Sequence, residues 1–260
     1  MLEYPIMIIP QYDLDKIKFA TGSPTFERAV EIYNSGGVIN FEEVGFGFNA
    51  RVRGSRGNFY NVYVSSRHYD SGNCNCYLGQ NDTLCKHLVA TAIYAIKRGE
   101  RLTEEEKELI ISPKCSGRLG ELGKSELMEV KAGITAALRF LKSYTGPSRI
   151  WFQYQNSLCE GCNRLTAIVS KLPVSEQTAK LLVDLLLRVE NKLSYGIDDS
   201  DGTIGVFIEE VVMVLKKYAE LDLNCIAIFK KFCGLSTSFG WEEPLVEIFN
   251  KNLAANTHNK

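Results

Sequence analysis

Residues 74–87, Cys-Asn-Cys-Tyr-Leu-Gly-Gln-Asn-Asp-Thr-Leu-Cys-Lys-His, decide how the first half of this chain folds. In a strand, residues i and i+2 point to one face, so Cys74 and Cys76 can present both thiolates on one side of a β-segment. The eight residues 77–84 let the chain turn back. Cys85 and His87 then follow at the first turn of a predicted helix, one near its start and the other just inside. Three sulfurs and one imidazole are the closed tetrahedral set of a structural zinc site, with bonds of about 2.3 Å to sulfur and about 2.0–2.1 Å to nitrogen. Soft thiolates favour zinc over magnesium or calcium. The partial positive charge of a helix N-terminus helps to stabilise them. Four protein ligands leave no open position for water, so one structural zinc is expected and catalysis there is not. The plainer reading, buried thiols beside a surface histidine, does not account for a complete ligand set at this spacing.

The flanks carry a sheet and two helices. Phe46, Phe48, Ala50 and Val52 alternate with Gly47, Asn49, Arg51 and Arg53, Gly54 to Asn58 form a turn, and Phe59 to Val64 resumes the strand. Val38 to Phe41 adds a short strand, and the whole reads as a three-stranded antiparallel sheet. Ser23-Pro24, a hydroxyl cap followed by proline, starts a helix through Phe26, Ala29, Val30 and Tyr33 that Gly36-Gly37 stops. Downstream, Asp82 or Thr83 caps a helix through Leu84, Leu88, Ala92, Ile93 and Ile96, ended by Gly99. Met1 to Pro10 is apolar but lacks a basic n-region and a cleavage site, so it reads as an early strand or core segment and not as a signal peptide.

The spacing Cys-x-Cys, eight residues, Cys-x-His resembles the SWIM-type zinc finger. The likeness extends upstream to the paired strands 50–54 and 60–64 and downstream to the helix 88–96, covering roughly residues 36–98. By this resemblance Cys74, Cys76, Cys85 and His87 take the four ligand positions. The family occurs in chromatin-remodelling ATPases, Mutator-type transposases and related plant transcription factors, and its members are thought to bind DNA or to mediate protein contacts. The resemblance therefore implies a non-catalytic adaptor whose partner is DNA or a protein, such as an accessory subunit of nucleic-acid machinery.

Net charge is −1, which offers no global attraction to nucleic acid or to anionic membrane. Its distribution is uneven. Residues 1–49 carry three Lys/Arg against seven Asp/Glu, whereas residues 50–101 carry eight against three, a local +5. Arg51, Arg53, Arg56, Arg67 and Lys86 are the candidate phosphate contacts, with Phe59, Tyr60, Tyr63 and Tyr77 among them. The bland reading is a solvated hairpin face, with Arg67 or Lys86 offsetting the net −1 of a zinc ion held by three thiolates.

Composition, 45% apolar and 23% charged, is that of a globular protein. No apolar run reaches the ~20 residues of a membrane span, so no membrane helix is expected. Eight cysteines without a secretory signal argue for a reducing, intracellular setting, cytoplasmic or nucleoid/nuclear. Beyond Leu102 the character changes. Thr103 to Glu106 is a capped acidic helix start, and Ser112-Pro113 with Gly117, Gly120 and Gly123 marks a linker at 111–124. Helices are expected at 125–143, 149–171, 175–194, 204–220, 222–233 and 242–254, with stripes such as Leu181, Leu182, Leu185, Leu186 and Val189. The fold class is α+β: a SWIM-type zinc-binding hairpin-and-helix domain over residues 1–110, then an all-α helical bundle or set of helical hairpins over residues 125–260.

Two further features look like sites. Cys159 and Cys162 could hold a second metal with Cys225 and Cys233, act as a redox pair, or serve an enzyme active site in the helical domain. Without a βαβ context they read instead as small apolar residues in a helix seam. Asp198 to Ile204 looks like a calcium loop, but aligning Gly202 with the loop glycine puts Ile197 and Ile208 where carboxylates are required. It reads as an acidic turn ahead of a helix. No Walker-type loop, GxSxG or HExxH is present, and His68 and His258 stand alone, so neither an enzymatic activity nor a small-molecule substrate is expected.

Overall fold

A computed structural model describes residues 8–147 and 151–258. Met1 to Pro10, read as a strand or core segment, lies largely outside them. The chain divides into two compact units, Met1–Leu109 and Ile110–Lys260.

In the first unit, α1 (Leu14–Ala20) and α2 (Ser23–Asn34) precede an antiparallel sheet of β1 (Val38–Val44), β2 (Gly47–Arg53), β3 (Phe59–Ser65) and β4 (Gly72–Cys74). The strands pair in chain order, so among the described residues the sheet has four strands and not the three expected. β4 is three residues long and mostly polar, and therefore lacks the alternation that marks a strand. It forms because β3 presents an edge of free backbone groups. α1 is equally short. Asp13 caps it by accepting the Lys16 N–H at 2.7 Å. α2 begins one residue earlier than expected, capped by Gly22, and the Ser23 hydroxyl donates to Glu27 instead.

Register puts Phe48, Ala50 and Val52 beside Val64, Val62 and Tyr60 on the inner face of the sheet. α3 (Lys86–Lys97) lies against that face with Leu88, Val89, Ala92 and Ile93, and α2 adds Phe26, Ala29, Val30 and Tyr33 to the same core. Burying Phe48 or Ile93 fully contributes roughly 1.5–3 kcal/mol each. The outer face carries Arg51, Arg53, Phe59, Asn61 and Tyr63 and is exposed or half-exposed. α3 ends at Arg98, in the left-handed region at φ 51°, one residue before the expected Gly99. α4 (Glu104–Lys107) closes the unit with a capping box between Thr103 and Glu106.

The second unit comprises α5 (Lys124–Ala137), α6 (Trp151–Lys171), α7 (Glu176–Ser194), α8 (Thr203–Leu221), a 3-10 segment Leu223–Phe232 and α9 (Glu243–His258). They surround an apolar core that includes Leu158, Leu165, Leu182, Leu186, Val211, Leu215 and Phe229. The stretch 111–124, read as a linker, is irregular backbone bonded to this helical unit. The Val174 N–H donates to the Arg118 carbonyl at 2.6 Å, the Gly120 N–H to the Val174 carbonyl at 3.1 Å, and the Ser116 hydroxyl to the Leu172 carbonyl at 2.7 Å. α5 stops at Ala137, short of the expected 143. There the Lys192 ammonium donates to the Leu141 carbonyl at 2.8 Å and the Tyr144 N–H to the Gly196 carbonyl at 3.0 Å, bonds that replace further helix. Residues 149 and 150 of the next expected helix lie outside the described residues. No helix among the described residues is long and apolar enough to cross a membrane.

Candidate metal centre

β4 delivers the first ligand. Cys74 pairs with Val62 and so points to the inner face. Cys76 lies past the end of the strand, where the Gln80 N–H donates to its carbonyl at 2.9 Å and the Gly79 N–H to its sulfur at 3.4 Å. A turn, and not the pleat of a continuous strand, therefore aims the second sulfur. Gly79 is needed for this turn, because a Cβ there would collide with the Cys74 backbone. The chain passes through a 3-10 turn, Gly79–Asn81, and Asp82 at φ 52°. Asp82 and Thr83, the expected caps, are spent on this turn: the Thr83 N–H donates to the Leu78 carbonyl at 3.0 Å. Cys85 is itself the N-cap of α3, and His87 follows in the first turn.

The four ligand atoms lie within 4.8 Å of one another. None of the four residues is more than 6% exposed. Cys74 Sγ and His87 Nδ1 are 3.8 Å apart. Tetrahedral bonds of the usual lengths place a sulfur and a nitrogen ligand about 3.6 Å apart. Among the described residues His87 Nε2 is buried without a hydrogen-bond partner. An unsatisfied group of this kind costs about 1–3 kcal/mol. The Tyr60 ring covers the imidazole, with centroids 4.4 Å apart. The neighbouring Cys74 lowers the Cys85 thiol below its ordinary value, against burial, with His87 and the Leu88 N–H adding to the effect. The neighbouring Cys85, with burial, pushes the Cys74 thiol far up. Binding a cation to these thiols releases their protons. Cys74, Cys76, Cys85 and His87 are buried and close enough to hold one metal ion. Their sulfur-rich donor set suits a soft divalent cation and provides four ligands, which closes a tetrahedral shell.

The five basic residues singled out in the sequence do not share one surface. Arg51 and Arg53 project from the outer face of β2, their guanidiniums 5.1 and 5.7 Å from the centroid of the Phe59 ring. Beside them Asn49, Arg51, Asn61 and Tyr63 line a hollow of about 440 Å³. Arg56 sits in the β2–β3 turn, and Lys86 reaches that turn from α3, donating to the Ser55 hydroxyl at 2.9 Å. Both line a second hollow, of about 340 Å³, on the metal cluster. Arg67 is exposed in the β3–β4 loop and lines neither. Arg28 of α2 does line the second hollow. Sequence reasoning missed it, because nothing local ties a helix residue to a turn 28 positions away.

Among the described residues no other set of three ligating side chains comes together. Cys162 and Cys225 are buried in the helical core, whereas Cys159 and Cys233 are exposed, so the four do not gather into a second centre. The acidic turn precedes α8 as expected. Asp199 accepts the Ile204 and Gly205 N–H groups at 2.7 and 2.9 Å, and Asp201 accepts the Thr203 N–H at 3.1 Å. Asp198 accepts from the Trp151 indole at 2.9 Å.

Comparison of the chain with protein-family models, with curated proteins and with solved structures finds no match. Fold and site together define an α+β unit with a buried Cys₃His cluster, followed by a helical unit.

Proposed function

We propose that this chain is a zinc-organised, SWIM-type, non-catalytic binding protein that holds DNA on the outer face of its sheet. Zinc is the ion this donor set favours, and in this reading it staples β4 and the following loop to α3. The observation that carries the partner is the grouping of Arg51 and Arg53 about Phe59, itself 38% exposed, on a face with one open hollow lined by outward asparagines and by Glu42. Guanidiniums neutralise phosphates, and an aromatic ring offers a surface on which a base stacks. The helical unit would then connect the module to a larger assembly as an accessory subunit. Thiolate ligands fit an intracellular, reducing setting.

A fluorescence titration with labelled DNA across a salt series tests the reading. Affinity should fall as salt rises, and Arg51→Ala with Arg53→Ala should reduce the log–log slope by about 2. A flat salt response, or no binding at micromolar protein, would transfer the proposal to a protein partner.

A further inference from the structure

We infer that the hollow on the metal cluster is a phosphate-group site formed by Arg28, Arg56 and Lys86. The three cations come from separate parts of the chain: α2, the β2–β3 turn and the first residue of α3. They line one cavity of about 340 Å³ with Ser55, Tyr60 and Tyr77; among the described residues no aspartate or glutamate lines it, and the metal-ligand candidates Cys76, Cys85 and His87 form its floor. Three other cations of this unit have carboxylate partners. Arg98 is 2.7 Å from Glu43, Lys97 is 3.1 Å from Glu106, and Lys107 is 2.6 Å from Glu104. Among the described residues Arg28 and Arg56 have no such partner, and Lys86 bonds to a neutral hydroxyl.

Three thiolates around a divalent ion carry a net −1, which balances one of these cations and leaves two. Like charges converging on a hollow repel one another, and their shared field favours an anion. Two guanidiniums and an ammonium approaching from three elements offer more donors than a carboxylate's two oxygens can occupy. They suit the several oxygens of a phosphate group, and arginine matches that geometry in bidentate fashion. The first turn of α3, a 12-residue helix, adds its positive end on the same side. Tyr77, 81% exposed beside the cavity, supplies a ring on which a base or sugar can rest.

A phosphate group can come from a nucleic-acid backbone or from a free phosphate or mononucleotide. The first source rests on the function proposed above; the site itself does not. The test uses the full chain with metal bound, and Arg28→Ala and Arg56→Ala singly and together, with Arg28→Gln/Arg56→Gln as a second pair. Lys86 is left intact because it adjoins two ligands. Metal content and circular dichroism should not change, since both arginine side chains are exposed. The probes are a labelled single-stranded oligonucleotide, inorganic phosphate and adenosine monophosphate.

Either single variant should weaken the probe that binds about tenfold, and the pair about a hundredfold. Loss confined to the oligonucleotide identifies a backbone phosphate. Binding of phosphate or the mononucleotide that disappears in the double variants identifies a free one, and stands even if the wild type binds no oligonucleotide. Oligonucleotide affinity that falls in the Arg51/Arg53 variant but not in the Arg28/Arg56 pairs would overturn the phosphate site while leaving the DNA reading in place. No weakening of any probe in either pair overturns it as well.

Discussion

The loop entering α3 and the loop entering α8 both carry groups that bind metals, yet they use them in opposite ways. Before α8, Asp199 spends both carboxylate oxygens on the Ile204 and Gly205 N–H groups, and Asp201 accepts from Thr203. Before α3, Cys85 occupies the cap position without a side-chain cap hydrogen bond, and its sulfur lies within 4.8 Å of the other three ligand atoms. Carboxylates are strong acceptors, so the free N–H groups of a helix end consume them. Sulfur is a weaker acceptor, and although the Gly79 N–H reaches the Cys76 sulfur at 3.4 Å, lone pairs stay available for a cation. A helix entry can therefore be closed by its own backbone or by an ion, and the donor atom decides which.

The largest test of this contrast is removal of the metal. A chelator, or Cys85→Ser, should unfold most of residues 36–98, because structural zinc contributes on the order of 10–16 kcal/mol. Circular dichroism should retain the helical signal of the second unit, whose core is apolar. One cooperative transition with complete loss of helix would break the comparison. Next is Gly79→Ala, which forces the turn away from Cys74; chelator competition should show roughly 10- to 100-fold weaker metal binding, with the α8 entry unaffected.

Asp199→Ala should act in the other loop alone. It strips two N–H groups of their acceptor, and should lower the stability of the second unit by about 1–2 kcal/mol in denaturant unfolding, with metal content unchanged. Millimolar calcium should not raise the thermal midpoint of this unit; a rise would mean that the acidic turn binds an ion after all. The smallest effect belongs to a third helix entry. The Thr103 N–H, and Lys97 in addition, hold the Glu106 carboxyl below its ordinary value of 4.5. A lowered carboxylate stabilises the fold above its unfolded pKa and loses that contribution as pH falls through its folded one. Solvent screening limits it to roughly 0.5 kcal/mol. Glu106→Gln should accordingly flatten the pH dependence of stability as pH falls below about 5.

Much of the first unit was legible because its signals are local. The alternation of β2 and β3 spans adjacent residues, and the four ligand candidates fall within one stretch of 14. Other features had no local signal. β4 is too short and polar to alternate and depends on the edge of β3. The cap of α3 is Cys85 and not Asp82 or Thr83, since those residues are held in the preceding turn. Residues 111–124 contain the glycines and proline of a linker, but their carbonyls and N–H groups find partners at 172–174, far along the chain.

The sequence by itself determined the donor set, the strand alternation and the helical character beyond residue 124, because each depends on spacing between near neighbours. Tertiary structure decided what could not be read that way. It buried Cys74, Cys76, Cys85 and His87 within 4.8 Å of one another. It also divided the basic residues, leaving Arg51 and Arg53 beside Phe59 and bringing Arg28 to Arg56 and Lys86. The reason is physical: charge carries no periodicity that reveals its neighbours across a fold, and only the packing of α2 and α3 with the sheet sets which cations meet.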